Sequence, residues 1–241
     1  MTGIAVRWRI TAGSRCKANS IIRGDVMKTE IGMERPANFK ESWPGEYTCF
    51  SHFEHAAVVP QVLSLITTLK NNGKPNAAFH AGTVFSGDPS GYYAIMPGIS
   101  YSHTYDNILR AKEFCINFLS KAYYAACMKT VEENGEDTDE IMAGGFTAEP
   151  CKTIGGFRIK EALLSFECKL VSSQDITGQN KLFMFIGQVQ LAVVDENCHK
   201  LENICGPKGF MYNIPAPQNP LKDERMPTAA AYLTPFVVKE E

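Results

Sequence analysis

The chain lacks any run of about 18 apolar residues, the length a helix needs to cross the hydrocarbon core of a bilayer. Its longest apolar window, Val58–Leu69, is broken by Pro60, Gln61, Ser64 and paired threonines. No membrane partner is expected. Neither sign of charge dominates: 24 Lys and Arg stand against 26 Asp and Glu, a formal net charge of −2. No basic cluster offers a phosphate-neutralising stripe, so nucleic acid is not an expected partner either. Cysteine is sparse for a disulfide scaffold, with eight in 241 residues and no C-x-x-C pair. Cys198, His199 and Cys205 come nearest to a metal cluster, but a fourth ligand and tight spacing are missing. The expectation is no metal, and inert buried thiols suited to a reducing cytoplasm.

The usual signatures of catalysis are missing too. There is no G-x-S-x-G elbow, no H-E-x-x-H helix and no cysteine–histidine signature. Gly144-Gly145 and Gly155-Gly156 lack G-x-G-x-x-G spacing, and no G-x-x-x-x-G-K-S/T occurs. A Rossmann domain is not expected, and no catalytic side chain is assigned.

What is present is a chain that is 44% hydrophobic, enough for a sizeable single core. Residues 1–26 carry Arg7, Arg9, Arg15, Lys17 and Arg23 against Asp25 alone, and are expected to form an arm outside the fold. Residues 27–57 read as a lead-in that includes Trp43, His52 and His55. Val58–Leu69 reads as a strand ending at the Asn71-Asn72-Gly73 turn. Asn76–Ser86 reads as a small-residue loop or irregular strand, Gly91–Met96 as a strand stopped by Pro97-Gly98, and Thr104–Lys112 as a helix with Tyr105, Ile108 and Leu109 on one stripe. Phe114–Leu119 is a buried strand, and Ser120 is the expected N-cap of a helix running to about Glu133. The acidic run Glu132–Glu140 reads as a solvated face, with a helical turn at Ile141–Gly145. Leu164–Ser172 alternates Phe166, Cys168 and Leu170 against Ser165, Glu167 and Lys169, a half-buried pattern. Ile176–Asn180 links it as a hairpin to the long strand Leu182–Asp195. This order predicts a mainly β fold, a β-barrel with inserted helices, rather than alternating βαβ units. The proline-rich stretch 206–241 is expected to extend over the barrel or a dimer partner.

The most informative stretch runs from Lys74 to Asn117. Two hydroxyl-rich loops, each anchored by an apolar strand, can wrap a phosphate-bearing ligand without long charged side chains. In the second, Ser100, Ser102, His103 and Thr104 gather where a helix begins, and free first-turn amides attract anions. Capping by Ser102 or Thr104 draws on the same amides.

These residues resemble the flavin reductase-like, FMN-binding split-barrel family, which includes the flavoredoxins. Four pieces carry the likeness in order: Asn72-Gly73-Lys74-Pro75-Asn76 after a strand; Thr83-Val84-Phe85-Ser86-Gly87-Asp88-Pro89; Thr104 with Asn107-Ile108, then Glu113-Phe114 and Asn117; and Phe185-Ile186-Gly187-Gln188-Val189. The resemblance spans roughly Val58 to Asp195, within a barrel domain set at residues 58–205. It implies a split barrel that binds FMN (FAD fits less well), with His80, Ala81, Gly82, Thr83 and Val84 along the isoalloxazine edge. Two polar side chains of the family's contact segment are absent there, leaving backbone groups and Thr83. Ser100, Ser102, His103 and Thr104 are the implied phosphate end, with His103 where relatives carry Arg or Lys. Asn107 and Asn117 are expected to be structural, and Phe210 and Tyr212 are candidates for an aromatic cover. The lack of acid–base machinery fits a flavoprotein, in which the cofactor carries the chemistry. The implied function is an oxidoreductase, a homodimer passing electrons from NAD(P)H or a protein donor to a flavin, a small molecule or a redox partner. The alternatives are a flavoredoxin-like carrier without NAD(P)H turnover, and a non-catalytic module binding flavin or another phosphorylated ligand.

Overall fold

The structure is a computed structural model that describes residues 28–37, 51–216, 218–219, 224–227 and 229–236. The basic arm 1–26 and the Trp43 turn lie outside the described residues. A short helix α1 (His52–Ala57) leads into β1 (Gln61–Leu69), which pairs along Leu63–Leu69 with β2 (Pro75–Ala81). β3 (Val84–Asp88) and β4 (Gly91–Ile99) form the next hairpin, with Asp88 opposite Gly91. Of the two readings of Asn76–Ser86, loop or irregular strand, the structure shows mostly strand, interrupted at Gly82 and Thr83. Its small residues serve packing: Ala77 is fully buried, and β2 alternates Asn76, Ala78 and His80 with Ala77, Phe79 and Ala81.

β4 also outlasts its expected end, pairing Pro97 with Met184 and Ile99 with Leu182. The proline is tolerated because β3 stops pairing at Val84–Ile95, so no strand on that side asks Pro97 for an N–H. After β4 come α2 (His103–Ala111), β5 (Glu113–Phe118), α3 (Tyr124–Glu132) and α4 (Glu140–Ala143). Ser120 precedes a one-turn 3-10 segment rather than α3 and makes no side-chain cap; it bridges to Phe210 instead. The hairpin of β6 (Ala148–Pro150) and β7 (Phe157–Ile159) is followed by the long pair β8 (Leu164–Asp175) and β9 (Leu182–Val194). α5 (Leu201–Ile204), β10 (Tyr212–Ile214), β11 (Gln218–Asn219), β12 (Glu224–Arg225) and β13 (Ala229–Ala231) complete the described chain.

The main sheet runs β13-β10-β1-β5-β8-β9-β4-β3, with β2 also on β1. β2 and β3 thus end the antiparallel run β2-β1-β5-β8-β9-β4-β3, yet only Gly82 and Thr83 join them. Three virtual Cα bonds reach at most about 10 Å, so the sheet has to roll until its ends approach. The result is a mainly β barrel slit between β2 and β3. A bulge helps the curl: the β8 register shifts between Leu170 and Ser172, opposite Gly187 and Ile186 of β9. Gly187 carries no side chain because the Phe114 ring occupies the place of its Cβ.

One apolar cluster gathers Ile66, Ala94, Met96, Ile108, Phe114, Ile116, Cys168 and Phe185. A second, with Leu63, Leu65, Ala77, Leu119, Cys127, Ile141 and Phe146, packs β1 and β2 against α3 and α4. β1 is buried on both faces, and each large aliphatic side chain removed from water there contributes about 1.5–3 kcal/mol.

Two expected wet faces prove dry. Ser165 and Glu167 of β8 are buried because the segment that includes β6 and β7 covers them. Glu167 accepts from Arg158 Nη1 (2.9 Å) and from the amides of Lys152 (3.0 Å) and Thr153 (2.7 Å). Burial alone raises a carboxyl pKa; here the Thr153 hydroxyl, the two amides and Arg158 outweigh it and hold Glu167 below its ordinary value. Glu140, expected in a solvated run, is likewise buried. In the proline-rich stretch, β10 pairs with β1 at Gln61 and Val62, and β13 pairs with β10.

Candidate functional site

The slit between β2 and β3 sets the first part of the site. Gly82 has φ 91°, in the left-handed region open to glycine. A Cβ there would lie 3.3 Å from the Pro97 ring and 3.4 Å from Gln61 Oε1, so the bend rests on β4 and on the start of β1. Thr83 is 3% exposed, and its hydroxyl has no hydrogen-bond partner. Leaving such a group unpaired costs about 1–3 kcal/mol, which marks a position that a ligand or a water completes. Val84, next in line, is 58% exposed. Ala81 is half-buried and packs on the helix-side cluster.

His80 lies opposite Ser64 in the β1–β2 ladder, on the face shared with Asn76 and Ala78 rather than that of Phe79 and Ala81. Its Nδ1 and the Ser64 Oγ are both buried without partners. Burial drives the ring's pKa down to about 4, against the pull of the Pro97 carbonyl, so the imidazole is neutral at neutral pH.

The second part lies where β4 ends at Ile99, about 7 Å along the strand from Pro97. The Ser100 N–H donates to the Lys181 carbonyl (3.2 Å). The Ser102 hydroxyl caps α2, accepting from the Tyr105 N–H (3.2 Å) and donating to the Ile99 carbonyl (2.8 Å). Thr104 is buried and accepts from Asn76 Nδ2 (3.0 Å), tying the α2 start to β2. Both of these hydroxyls therefore serve the fold. The Asp106 N–H donates to the Ser102 carbonyl (3.2 Å), so the groups left at this turn are the amides of His103 and Thr104, which helix geometry leaves without intrahelical partners, and the His103 ring. That ring sits 3.3 Å from Glu136 Oε2 and 3.8 Å from Glu140 Oε1.

Asn107 donates to Thr68 Oγ1 (3.0 Å), while Asn117 donates to the Leu65 carbonyl (2.9 Å) and accepts from the Ile159 amide (3.0 Å). Phe210 packs on Phe118 with ring centroids 5.1 Å apart. Sequence reasoning noted Gln61 and Ser64 only as interruptions of an apolar window and gave them no place at the site. It also passed over Glu136 and Glu140 beside His103, for which no local signal exists.

An antiparallel barrel slit between its two end strands, with a helix starting beside the slit, defines a split barrel. The chain belongs to the flavin reductase like domain family, whose model matches residues 56–206. It is 30% identical over 149 residues to an uncharacterized protein of Aquifex aeolicus, covering 58% of this chain and 74% of that one. Among solved structures it is similar to a candidate flavin reductase with a split barrel domain from Shewanella frigidimarina (TM-score 0.63, 19% identity, 79% of this chain and 90% of the other). It is also similar to the flavoredoxin of Desulfovibrio vulgaris (Miyazaki F), with TM-score 0.61, 18% identity, and coverage of 83% and 97%. At these identities the two structures establish the fold. Family membership makes this a chain of the flavin-related oxidoreductases. Among the described residues no helix is long and apolar enough to cross a membrane.

Proposed function

We propose that the protein is a flavin-dependent oxidoreductase that holds FMN across the slit and the α2 start. The observation that carries this reading is the Thr83 hydroxyl, buried and unpartnered at the slit of a chain that belongs to the flavin reductase family. The residues fit the group. Gly82 supplies the left-handed bend that seats the chain against Pro97 and Gln61 and presents Thr83, and Thr83 offers a donor to the polar edge of the ring, where negative charge gathers on reduction. Ala81 and Val84 flank that edge, and His80 contributes its backbone while its neutral ring holds the bend from within. At the other end the His103 ring and the amides of His103 and Thr104 receive the phosphate, with Ser100 beside them and the Ser102 and Thr104 hydroxyls fixing the turn. Bound there, the flavin supplies hydride and electron transfer, and the polypeptide supplies position and field.

In this reading the electrons come from NAD(P)H or a protein donor and go to a flavin, a small molecule or a redox partner, with two copies of the chain forming the working unit. The Glu136 carboxylate on His103 favours a flavin held reversibly, since phosphate has to displace it. Purified protein titrated with FMN should quench flavin fluorescence at one site per chain, and anaerobic NADH or NADPH should then bleach the flavin absorbance. Quenching without bleaching would leave an electron carrier. No quenching at all would overturn the flavin reading.

A further inference from the structure

Away from the slit, on the outer face of β5, two cysteines are brought together by chain segments far apart in sequence. Cys115 is 1% exposed and pairs with Glu167 across the β5–β8 ladder. The segment 151–159 is fastened over it from three sides. Two residues before Cys115, and so on the same face, Glu113 Oε2 accepts from the Gly155 amide (2.7 Å). Two residues after it, Asn117 Oδ1 accepts from the Ile159 amide (3.0 Å). Directly across the ladder, Glu167 accepts from the amides of Lys152 and Thr153 and from the Thr153 hydroxyl (2.7 Å). Cys151 is the residue just before Lys152, its own amide donating to Gly156 (2.9 Å), and it is half-buried rather than enclosed. The face of Cys115 is therefore roofed by the segment that carries Cys151. Cys168, the third cysteine nearby, pairs with Phe114 and belongs to the apolar cluster with Ile116 and Phe185, so it is outside this arrangement.

The geometry points to Cys115 and Cys151 as a dithiol that hydrogen peroxide oxidises to an intramolecular disulfide, locking the segment 151–156 onto β5. The more accessible Cys151 reacts first: its sulfur attacks the peroxide, the O–O bond breaks, and a sulfenic acid and one water are formed. Cys115 then attacks that sulfur, the S–O bond breaks, and the second water leaves with the thiol proton. In balance, two thiols and one peroxide give one disulfide and two waters, each sulfur losing one electron to the O–O bond. Burial, together with the hydrogen bond that the Cys115 thiol donates to Cys151, pushes that thiol well up, which makes the second step the slow one.

The full chain, reduced and then exposed to hydrogen peroxide, is digested without reductant and mapped by mass spectrometry. The expected result is a peptide joining Cys115 to Cys151, absent in Cys151→Ser and lost on adding dithiothreitol. Closing the loop between them should raise Tm by roughly 5–10 °C, reversibly. The half-exposed Cys151→Ser variant is the control because it leaves the buried position untouched. Over-oxidation of Cys151 with no joined peptide would overturn the proposal, as would pairing of either residue with another cysteine. A joined peptide with unchanged or lowered Tm would also overturn it, since the sulfurs would then meet only after the segment had come away.

Discussion

Lys70 Nζ and Glu140 Oε1 lie 2.8 Å apart with their side chains 1% and 2% exposed, an ion pair taken almost wholly out of water. Lys70 also donates to the carbonyls of Gly135 (2.7 Å) and Thr138 (2.9 Å), and Glu140 Oε2 accepts from the Ala77 amide (2.7 Å). The pair thus staples the acidic segment before α4 to the β1–β2 hairpin, beside the His103 end of the site.

Removing one partner strands the other in a dry site, so Lys70→Met should cost about 3–5 kcal/mol of unfolding free energy. Replacing both by apolar residues, Lys70→Met with Glu140→Leu, should recover most of that loss. Urea denaturation of the two variants checks this. A double variant no better than the single would show that the carbonyl and amide contacts, not the stranded charge, set the cost.

At the slit, Thr83→Val keeps the shape and deletes the donor. FMN affinity should fall about tenfold, near 1.4 kcal/mol, while Tm holds or rises because the orphan hydroxyl is gone. Fluorescence titration and thermal melts on the same samples separate the two effects. Unchanged affinity would place the flavin elsewhere.

His103 is tested by comparing FMN with riboflavin, which lacks the phosphate. His103→Ala should weaken FMN several-fold and leave riboflavin unmoved. Glu136→Gln should tighten FMN two- to five-fold by freeing the ring from a competing carboxylate, the scale of a half-exposed charge contact. Equal effects on both ligands would remove His103 from the phosphate end.

His80, half-buried with its ring Nδ1 out of water, ties stability to pH. Its folded-state pKa is depressed from 6.5 to about 4, so between those values the unfolded chain takes up a proton that the folded chain refuses. Stability is full above pH 6.5 and declines as pH falls toward 4, by an amount on the order of 3 kcal/mol. His80→Gln should flatten this part of the profile, measured by urea midpoints from pH 7.5 to 4.5. A slope that survives in the variant would belong to other groups.

Much of the architecture was legible residue by residue. Asn72-Gly73, Asp88-Pro89 and Gly178 announce their turns, and the stretches that became β1, β5, β8 and β9 show their apolar patterning, because turn chemistry and the period of two act over a few neighbours. The order of motifs from Asn72 to Val189 likewise carried the family. Burial of charge is another matter. Glu140 reads like its five acidic neighbours and Glu167 like a solvent-facing alternate. Only Lys70, seventy positions away, and Arg158, on a covering hairpin, make those two carboxylates interior. The slit follows the same logic: Ala81-Gly82-Thr83 looks like a loose bend until the rolled sheet sets it against Pro97 and Gln61. Local chemistry wrote the elements into the chain, whereas the dry ion pairs, the orphan hydroxyl and the shared edge of the site arise from which distant segments the closed barrel brings into contact.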